Sequence, residues 1–445
     1  MHHDLQSADI LPKCREHNVT QVLCMFSDIL GQPMAQQTSI KELEKVLQRG
    51  IYIDGSSLEG FSRIEESDLR ALPDPRTFHI MPWEIGGEKT GLVICDVLLP
   101  NGEPFSGDSR YILKRALQKT SDNGWTVNIG PELEYFYFET PTETKPLDQG
   151  GYFRLIADRV GLDLRTKVMA ALRAFDVQAE VGHHEVAPSQ HEIDLRYRPA
   201  LEMADIVLIH RWLVKWIAVD NGHYATFMPK PVAGINGSGM HVHQSIFDGE
   251  GKNLFYDNNQ SNYYLSDFGS HYLAGLIKYC PTFTAVFNQW INSYKRLIKG
   301  FEAPVYVCWG TRNRSAFVRK PDYEPGHEEA TRLELRSPDP ACNPYITFAL
   351  MLNAGLAGIE QKLAPPEPTE KDVYQLSEKE LADLNIGLLP GSLDEALQLF
   401  AGSDLAKQTL GEHAFNKFIE NKKEEIKRWR SAVTDYELKE YLPRL

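Results

Sequence analysis

Glu132 and Glu134 stand two residues apart in Ile129-Gly130-Pro131-Glu132-Leu133-Glu134-Tyr135-Phe136-Tyr137-Phe138, one of the most apolar extended runs of the chain. In a strand, residues two apart share a face, so these carboxylates project side by side. Like charges that close repel, and burying them without a counter-charge costs several kcal/mol. A divalent cation with hard oxygen ligands resolves that conflict. A strand with one wet face resolves it as well. A second acidic group lies in Glu180-Val181-Gly182-His183-His184-Glu185-Val186-Ala187-Pro188-Ser189-Gln190-His191-Glu192. Glu185 and Glu192 flank a tight connection, and a hairpin-like bend returns both to one place. The paired histidines invite zinc, but the H-E-x-x-H spacing is absent and carboxylates dominate, which favours Mg²⁺ or Mn²⁺. A polar turn is the plainer alternative.

Asn236-Gly237-Ser238-Gly239-Met240-His241-Val242-His243-Gln244-Ser245 follows. Its glycines let backbone approach a ligand closely, and alternation puts His241 and His243 on one face. A glycine bend before a strand with two hydrogen-bonded histidines fits equally. Arginines come next: Arg296, then Arg312, Arg314 and Arg319, then Arg336 alternating with Glu334. Guanidinium forks grip carboxylate and phosphate, and phosphoryl transfer needs cations around the moving group. Salt-bridged strand faces are the bland counterpart. Together the clusters supply carboxylates for two metals, histidines for a metal or nucleotide, and arginines for anions. Paired metals recur in phosphate chemistry.

These side chains must be held by a substantial scaffold. A chain of 445 residues exceeds one ordinary core, so two domains are expected, residues 1–105 and 106–445. In the first, Val19 to Phe26 reads as a strand. Ser39-Ile40-Lys41-Glu42 reads as a capping box opening a helix that Gly50 closes, and Thr90 to Leu98 as a strand before a Pro100-Asn101-Gly102 turn. In the second, helices are expected over Ser109–Lys119, Leu164–Phe175, Pro199–Val219 and Tyr345–Leu363, with strands over Thr126–Phe138, Val177–Val181 and Gly239–Phe247. From Glu412 the pattern is charged amphipathic helix. This mixture predicts an α+β fold with an antiparallel-rich sheet and helices on one side.

A hydrophobic content of 42% with 24% charged residues fits a globular protein. The net charge of −14 argues against nucleic acid or an anionic membrane as the main partner. The six cysteines are scattered without C-x-x-C spacing, which predicts reduced thiols and a cytoplasmic location. There is no signal-peptide pattern and no apolar run of membrane-spanning length.

The motifs, in order, resemble those of glutamine synthetases. The matching blocks are Asp54-Gly55-Ser56-Ser57-Leu58-Glu59-Gly60-Phe61, Glu66-Ser67-Asp68, Gly130-Pro131-Glu132-Leu133-Glu134, His184-Glu185-Val186-Ala187-Pro188, Gly237-Ser238-Gly239-Met240-His241, Arg312-Asn313-Arg314-Ser315 and Pro338-Asp339-Pro340. The likeness runs from about residue 18 to the C-terminus. It implies a small N-terminal β-grasp-like domain and a large catalytic domain with a curved antiparallel sheet. It also implies a dodecamer of two hexameric rings with active sites between neighbouring subunits. By residue matching, one metal is held by Glu134, Glu185 and Glu192, and a second by Glu132, His241 and Glu334. Glutamate is held by Arg296 and Arg336 with Asn236, Gly237 and Glu302. ATP meets Glu180, His243, Ser245, Arg319 and Arg314, the last facing the transferring phosphate. Ammonium sits among Asp54, Asp68 and Glu302, with Asp54 as base and Glu302 on a flap.

The implied reaction phosphorylates the side-chain carboxylate of L-glutamate with ATP, then replaces phosphate by ammonia to give L-glutamine. Length and Arg63 resemble the shorter type I class of bacteria and archaea, in which this arginine is associated with glutamine feedback. Tyr374 lies where the longer class is adenylylated, but its surroundings lack Leu-Tyr-Asp-Leu-Pro, so no adenylylation is expected. Ser189 replaces a frequent glycine, and Glu329 stands where many relatives carry a basic residue near ATP. The rival readings are a ligase joining glutamate to a polyamine or other amine, and a non-catalytic member of the family. The first tends to lose the ammonium pocket and the second its ligands, and both sets are present here.

Overall fold

The computed structural model describes residues 5–58, 68–155, 159–259 and 263–445. Arg63, with the rest of residues 59–67, lies outside them.

Near the N-terminus a six-stranded sheet has the order Pro33–Ser39, Gln21–Ser27, Glu88–Leu98, Asp68–Pro73, Ile51–Asp54, with His79–Ile85 also on Glu88–Leu98. Gln21–Ser27 and Glu88–Leu98 run parallel; the other pairs are antiparallel. The helix Ile40–Arg49 covers this sheet with Leu43, Val46 and Leu47 and ends at Gly50, whose φ of 73° suits glycine. The expected capping box does not form: Ser39 makes no side-chain cap bond. It is still paired with Gln21 as the last residue of its strand, and the Ile40 N–H donates to the Thr20 carbonyl instead.

A ten-stranded sheet builds the larger unit, centred on Thr126–Phe138. Met240–Phe247 pairs with that strand on one side and Gln190–Leu195 on the other, both antiparallel. Leu333–Leu335, Ala316–Arg319 and Tyr306–Gly310 continue beyond the first, and Ala179–His184 beyond the second. The sheet is not wholly antiparallel, because Tyr306–Gly310 and Ala316–Arg319 run parallel.

Leu133, Tyr135 and Tyr137 point from the central strand into the main core. Helices Ala200–Asp220 and Pro344–Glu360 join that core. Pro344–Glu360 carries no charged residue before Glu360 and is buried almost throughout, as an all-apolar helix must be. On the opposite face, Phe136 and Phe138 form a small cluster with Ala187, and Glu132 and Glu134 occupy the remainder. An apolar strand can therefore carry acids: one face belongs to the core and only part of the other to the site.

Asp435–Tyr441 forms a separate helix after Glu412–Ser431. All six cysteines are buried and unpaired. Among the described residues no helix is long and apolar enough to cross a membrane.

Candidate active site

Cross-strand neighbours in an antiparallel sheet share a face, so register alone assembles the site. Glu132 lies opposite His241 on one side and Asp194 on the other, and Glu134 lies opposite Glu192. His243 lies opposite Glu334, which lies opposite Arg319. One sheet face thus carries a row of acids, imidazoles and a guanidinium. His243 faces Gly130 across the strand pair.

The Glu132 carboxylate meets His241 Nδ1 at 3.0 Å and His243 Nε2 at 2.7 Å. Arg332 Nε donates to His243 Nδ1 at 3.1 Å, so His243 must donate from Nε2. Glu334 is fully buried and accepts from Arg336 Nη1 and Arg319 Nε, both at 2.5 Å. Burial alone would raise its pKa, but Arg336 and the two histidines bring it down to about 2. Glu132 is likewise held low against burial, by His243 and His241.

The acids nearer the hairpin have the opposite problem. Burial, reinforced by Glu185, pushes Glu134 up to about 8. Burial and then Glu134 push Glu192 well up, and burial with Glu132 pushes Asp194 up to about 7. Glu134 accepts from two neutral donors, Gln190 Nε2 and the Gly239 N–H, each at 2.9 Å. His183 lies 3.5 Å from Glu185 and 3.3 Å from Glu192. Buried acids with too little positive charge, rich in oxygen donors, are what a hard divalent cation requires, so the donor set fits one.

Among the described residues of this sheet face, donor atoms close enough to share an ion fall into three overlapping groups: Glu132, His243 and Glu334; Glu132, Glu192 and His241; and His183, Glu185 and Glu192. The set Glu132, His241 and Glu334 implied by the resemblance is also close, His241 Nδ1 lying 3.0 Å from Glu132 and 3.9 Å from Glu334, while Glu192 links the hairpin to Glu132.

Around this floor lie the other expected residues. Arg296 is buried and donates to the carbonyls of Ser337 (2.7 Å) and Arg336 (3.3 Å). Asn236 Nδ2 donates to Glu302 at 2.9 Å, and the Gly237 carbonyl accepts from Gln190. Glu302 holds a left-handed φ of 58° in a loop tied down on both sides. Lys230 Nζ lies 3.7 Å over the Phe301 ring, and the Tyr374 hydroxyl donates to the Ala303 carbonyl at 2.5 Å. Arg314 is exposed and hydrogen-bonds the Tyr152 hydroxyl. Ser245 lies on the His241–His243 face, while Glu180 is exposed with Arg196 at 4.0 Å. Glu329 is exposed beside His327.

Asp54 and Asp68 stand apart from this group, facing each other across the strand pair Ile51–Asp54 and Asp68–Pro73 of the N-terminal sheet. Asp54 also caps the short helix Gly55–Ser57 through the Ser56 N–H and hydroxyl. Sequence reasoning gave no role to Asp194, Gln190 and Arg332, and set His183 aside with the zinc reading. Asp194 and Gln190 sit two residues either side of Glu192, and Arg332 sits two before Glu334. The alternation that paired Glu132 with Glu134 therefore points to all three.

The chain matches two family models, the glutamine synthetase β-grasp domain over residues 18–100 and the glutamine synthetase catalytic domain over residues 106–441. It is 44% identical to a glutamine synthetase of Methanosarcina mazei over 441 residues, covering 98% of each chain. It is 43% identical to one of Thermotoga maritima, covering 96% of this chain and 97% of that one. Among solved structures, a GmaS/ADP complex superposes with a TM-score of 0.89 at 29% identity, covering 98% of this chain and 99% of the other. The Plasmodium falciparum glutamine synthetase gives a TM-score of 0.87 at 25% identity, covering 98% of each. With both domain models and near-full-length relatives in agreement, the chain belongs to the glutamine synthetase family.

Proposed function

We propose that this sheet face is the seat of ATP-dependent ligation of ammonia to the γ-carboxylate of L-glutamate, giving L-glutamine, ADP and phosphate. The activity is that of the family, which uses ATP and divalent metals. The observation that carries the reading is the cross-strand row Glu192, Glu134, Glu132, His241, His243, Glu334 and Arg319. It sets under-compensated acids beside guanidinium groups on one surface. Mg²⁺ or Mn²⁺ held there supplies positive charge and Lewis acidity to phosphoryl oxygens.

The chain's own residues do the rest. Arg336 and Arg296, with Asn236 and Gly237, orient glutamate. Arg319, Arg314, His243, Ser245 and Glu180 meet the nucleotide. A γ-carboxylate oxygen attacks the γ-phosphorus, the bond to the ADP oxygen breaks, and γ-glutamyl phosphate forms. Arg314 and Arg319 offset the charge of the moving phosphoryl group. Asp54 removes a proton from ammonium, with Asp68 and Glu302 supplying the negative surroundings that attract the cation. The ammonia lone pair then attacks the acyl carbon, the C–O bond to phosphate breaks, and the surplus proton on nitrogen passes to the departing phosphate. Glu302, on its tied loop, shields the acyl phosphate from water.

Asp54 and Asp68 lie on the N-terminal sheet and Glu302 on the catalytic unit, which supports a site completed by the neighbouring subunit of a dodecamer. Phosphate release with glutamate, ATP and ammonium tests the reading, with a polyamine as the competing acceptor. Ammonium is the preferred acceptor; a polyamine that works far better refutes the assignment.

A further inference from the structure

The hairpin bearing Glu185 and Glu192 turns at Ser189, which holds a left-handed φ of 58°. A non-glycine residue there costs roughly 1 kcal/mol. The side chain supplies the compensation. Ser189 is fully buried, and its Oγ accepts from two consecutive backbone N–H groups, Leu147 at 2.5 Å and Asp148 at 3.1 Å. Its own N–H donates to Asp148 Oδ1 at 3.2 Å, and its carbonyl accepts from the Tyr137 N–H at 3.0 Å, on the strand of Glu132 and Glu134.

Asp148 extends the clasp. Its Oδ1 also accepts from the Gly150 N–H at 2.6 Å and faces His184 Nε2 at 2.8 Å. His184 Nδ1 bonds the Glu185 carbonyl at 2.7 Å. Both partners of this imidazole are acceptors, so it donates from both nitrogens. Gly150 is obligatory here, since a Cβ would collide with His184 Nε2. An unbroken path of hydrogen bonds thus runs from the 147–150 loop to the backbone of Glu185.

Asp148, His184 and His191 are all buried and close enough to suggest a metal site. A neighbouring guanidinium argues against it. Arg165 donates to His191 Nδ1 at 2.7 Å, which puts the remaining ring proton on Nε2, facing Asp148 Oδ2 at 3.8 Å. With a fixed positive charge already on His191 and Asp148 taken up by backbone N–H groups and His184, the cluster reads as a brace.

We propose that Asp148 and Ser189 are positioning residues for the divalent cation. They pin the Glu185–Ser189 turn against the central strand and so hold Glu192 opposite Glu134 and Glu185 near it. The inference rests on the reading of those three acids as metal ligands. The test is Mn²⁺ binding alone, followed by the electron paramagnetic resonance of free Mn²⁺, on the full-length protein without substrates. Ser189→Gly relieves the backbone strain while removing both acceptor bonds, so it keeps the fold; Asp148→Asn and Ser189→Ala complete the series. Ser189→Gly and Asp148→Asn should weaken Mn²⁺ binding about tenfold or more, with the metal-free melting point of Ser189→Gly close to wild type. Glutamate KM at saturating metal should be unchanged in Ser189→Gly. Glu185→Gln separates the two claims. If it weakens Mn²⁺ binding while Ser189→Gly binds like wild type, the positioning role is refuted. If Glu185→Gln itself binds Mn²⁺ normally, the ligand reading is what fails.

Discussion

Glu134 and Glu334 are both buried acids on one sheet face, yet their pKa values part in opposite directions. Glu334 has Arg336 and Arg319 hydrogen-bonded to its oxygens, whereas Glu134 accepts from amide donors, and the nearby charges of Arg296 and Arg336 do not offset its burial and the repulsion of Glu185. The difference marks where added positive charge does most. Divalent cation should therefore stabilise the fold: at roughly a hundred times its dissociation constant, one site contributes about 2.7 kcal/mol. Calorimetry with Mg²⁺ and with EDTA checks this, and a melting point indifferent to both would remove the cation site. Glu302 tests the other end of the reaction. Glu302→Ala should lower glutamine formation by about a hundredfold or more while leaving ATP binding intact; unchanged turnover would sink the flap role.

At the scale of elements, the junction between the two sheets rests on Arg110 in the first turn of the helix Ser109–Ser121. Its guanidinium meets Asp74 and Asp205 at 2.9 Å and Asp96 at 2.6 Å, and the Tyr345 hydroxyl donates to Asp205. Burial alone would raise Asp74 and Asp96. Arg76 and Arg110 hold Asp74 below its ordinary value, and Arg110 and Lys114 do the same for Asp96. Depressed carboxylates contribute stability above their unfolded pKa of 3.8 and lose it as the pH falls. Asp205, pushed up by burial, has the opposite slope. Arg110→Met should cost about 3–5 kcal/mol and flatten the acid limb of the stability profile measured by urea melts from pH 7 to 3. An acid limb as steep as wild type would show that these carboxylates are not stabilised through Arg110.

For the whole molecule, the placement of Asp54 and Asp68 has the largest consequence. They sit on the N-terminal sheet, while Glu302 is bonded to Asn236 on the catalytic unit. If neighbours complete each site, inactive Asp54→Ala and Glu302→Ala proteins should complement when co-assembled. Random equal mixing gives wild-type residues at both positions in about a quarter of sites. Recovery of that share of glutamine formation supports sites shared between subunits, and no recovery refutes them.

Side-chain alternation is a local property of extended backbone, so the shared face of Glu132 with Glu134, and of His241 with His243, could be read from the chain directly. So could the apolar helix Pro344–Glu360 and the hairpin that brings Glu185 near Glu192. Register was not legible, because it depends on which strands minimise exposed apolar surface together. Only the folded sheet puts His243 on Glu132 and Glu334, or Glu192 opposite Glu134. Local signals also lose to pairing, as at Ser39, where strand hydrogen bonds displace the capping box. Asp148 carries no signal at all, being a loop acid 36 residues from His184 and 41 from Ser189. The acids, imidazoles and guanidinium groups of the site face were therefore set by the sequence, but their grouping and bracing were decided by long-range contacts, whose free energy belongs to the whole fold.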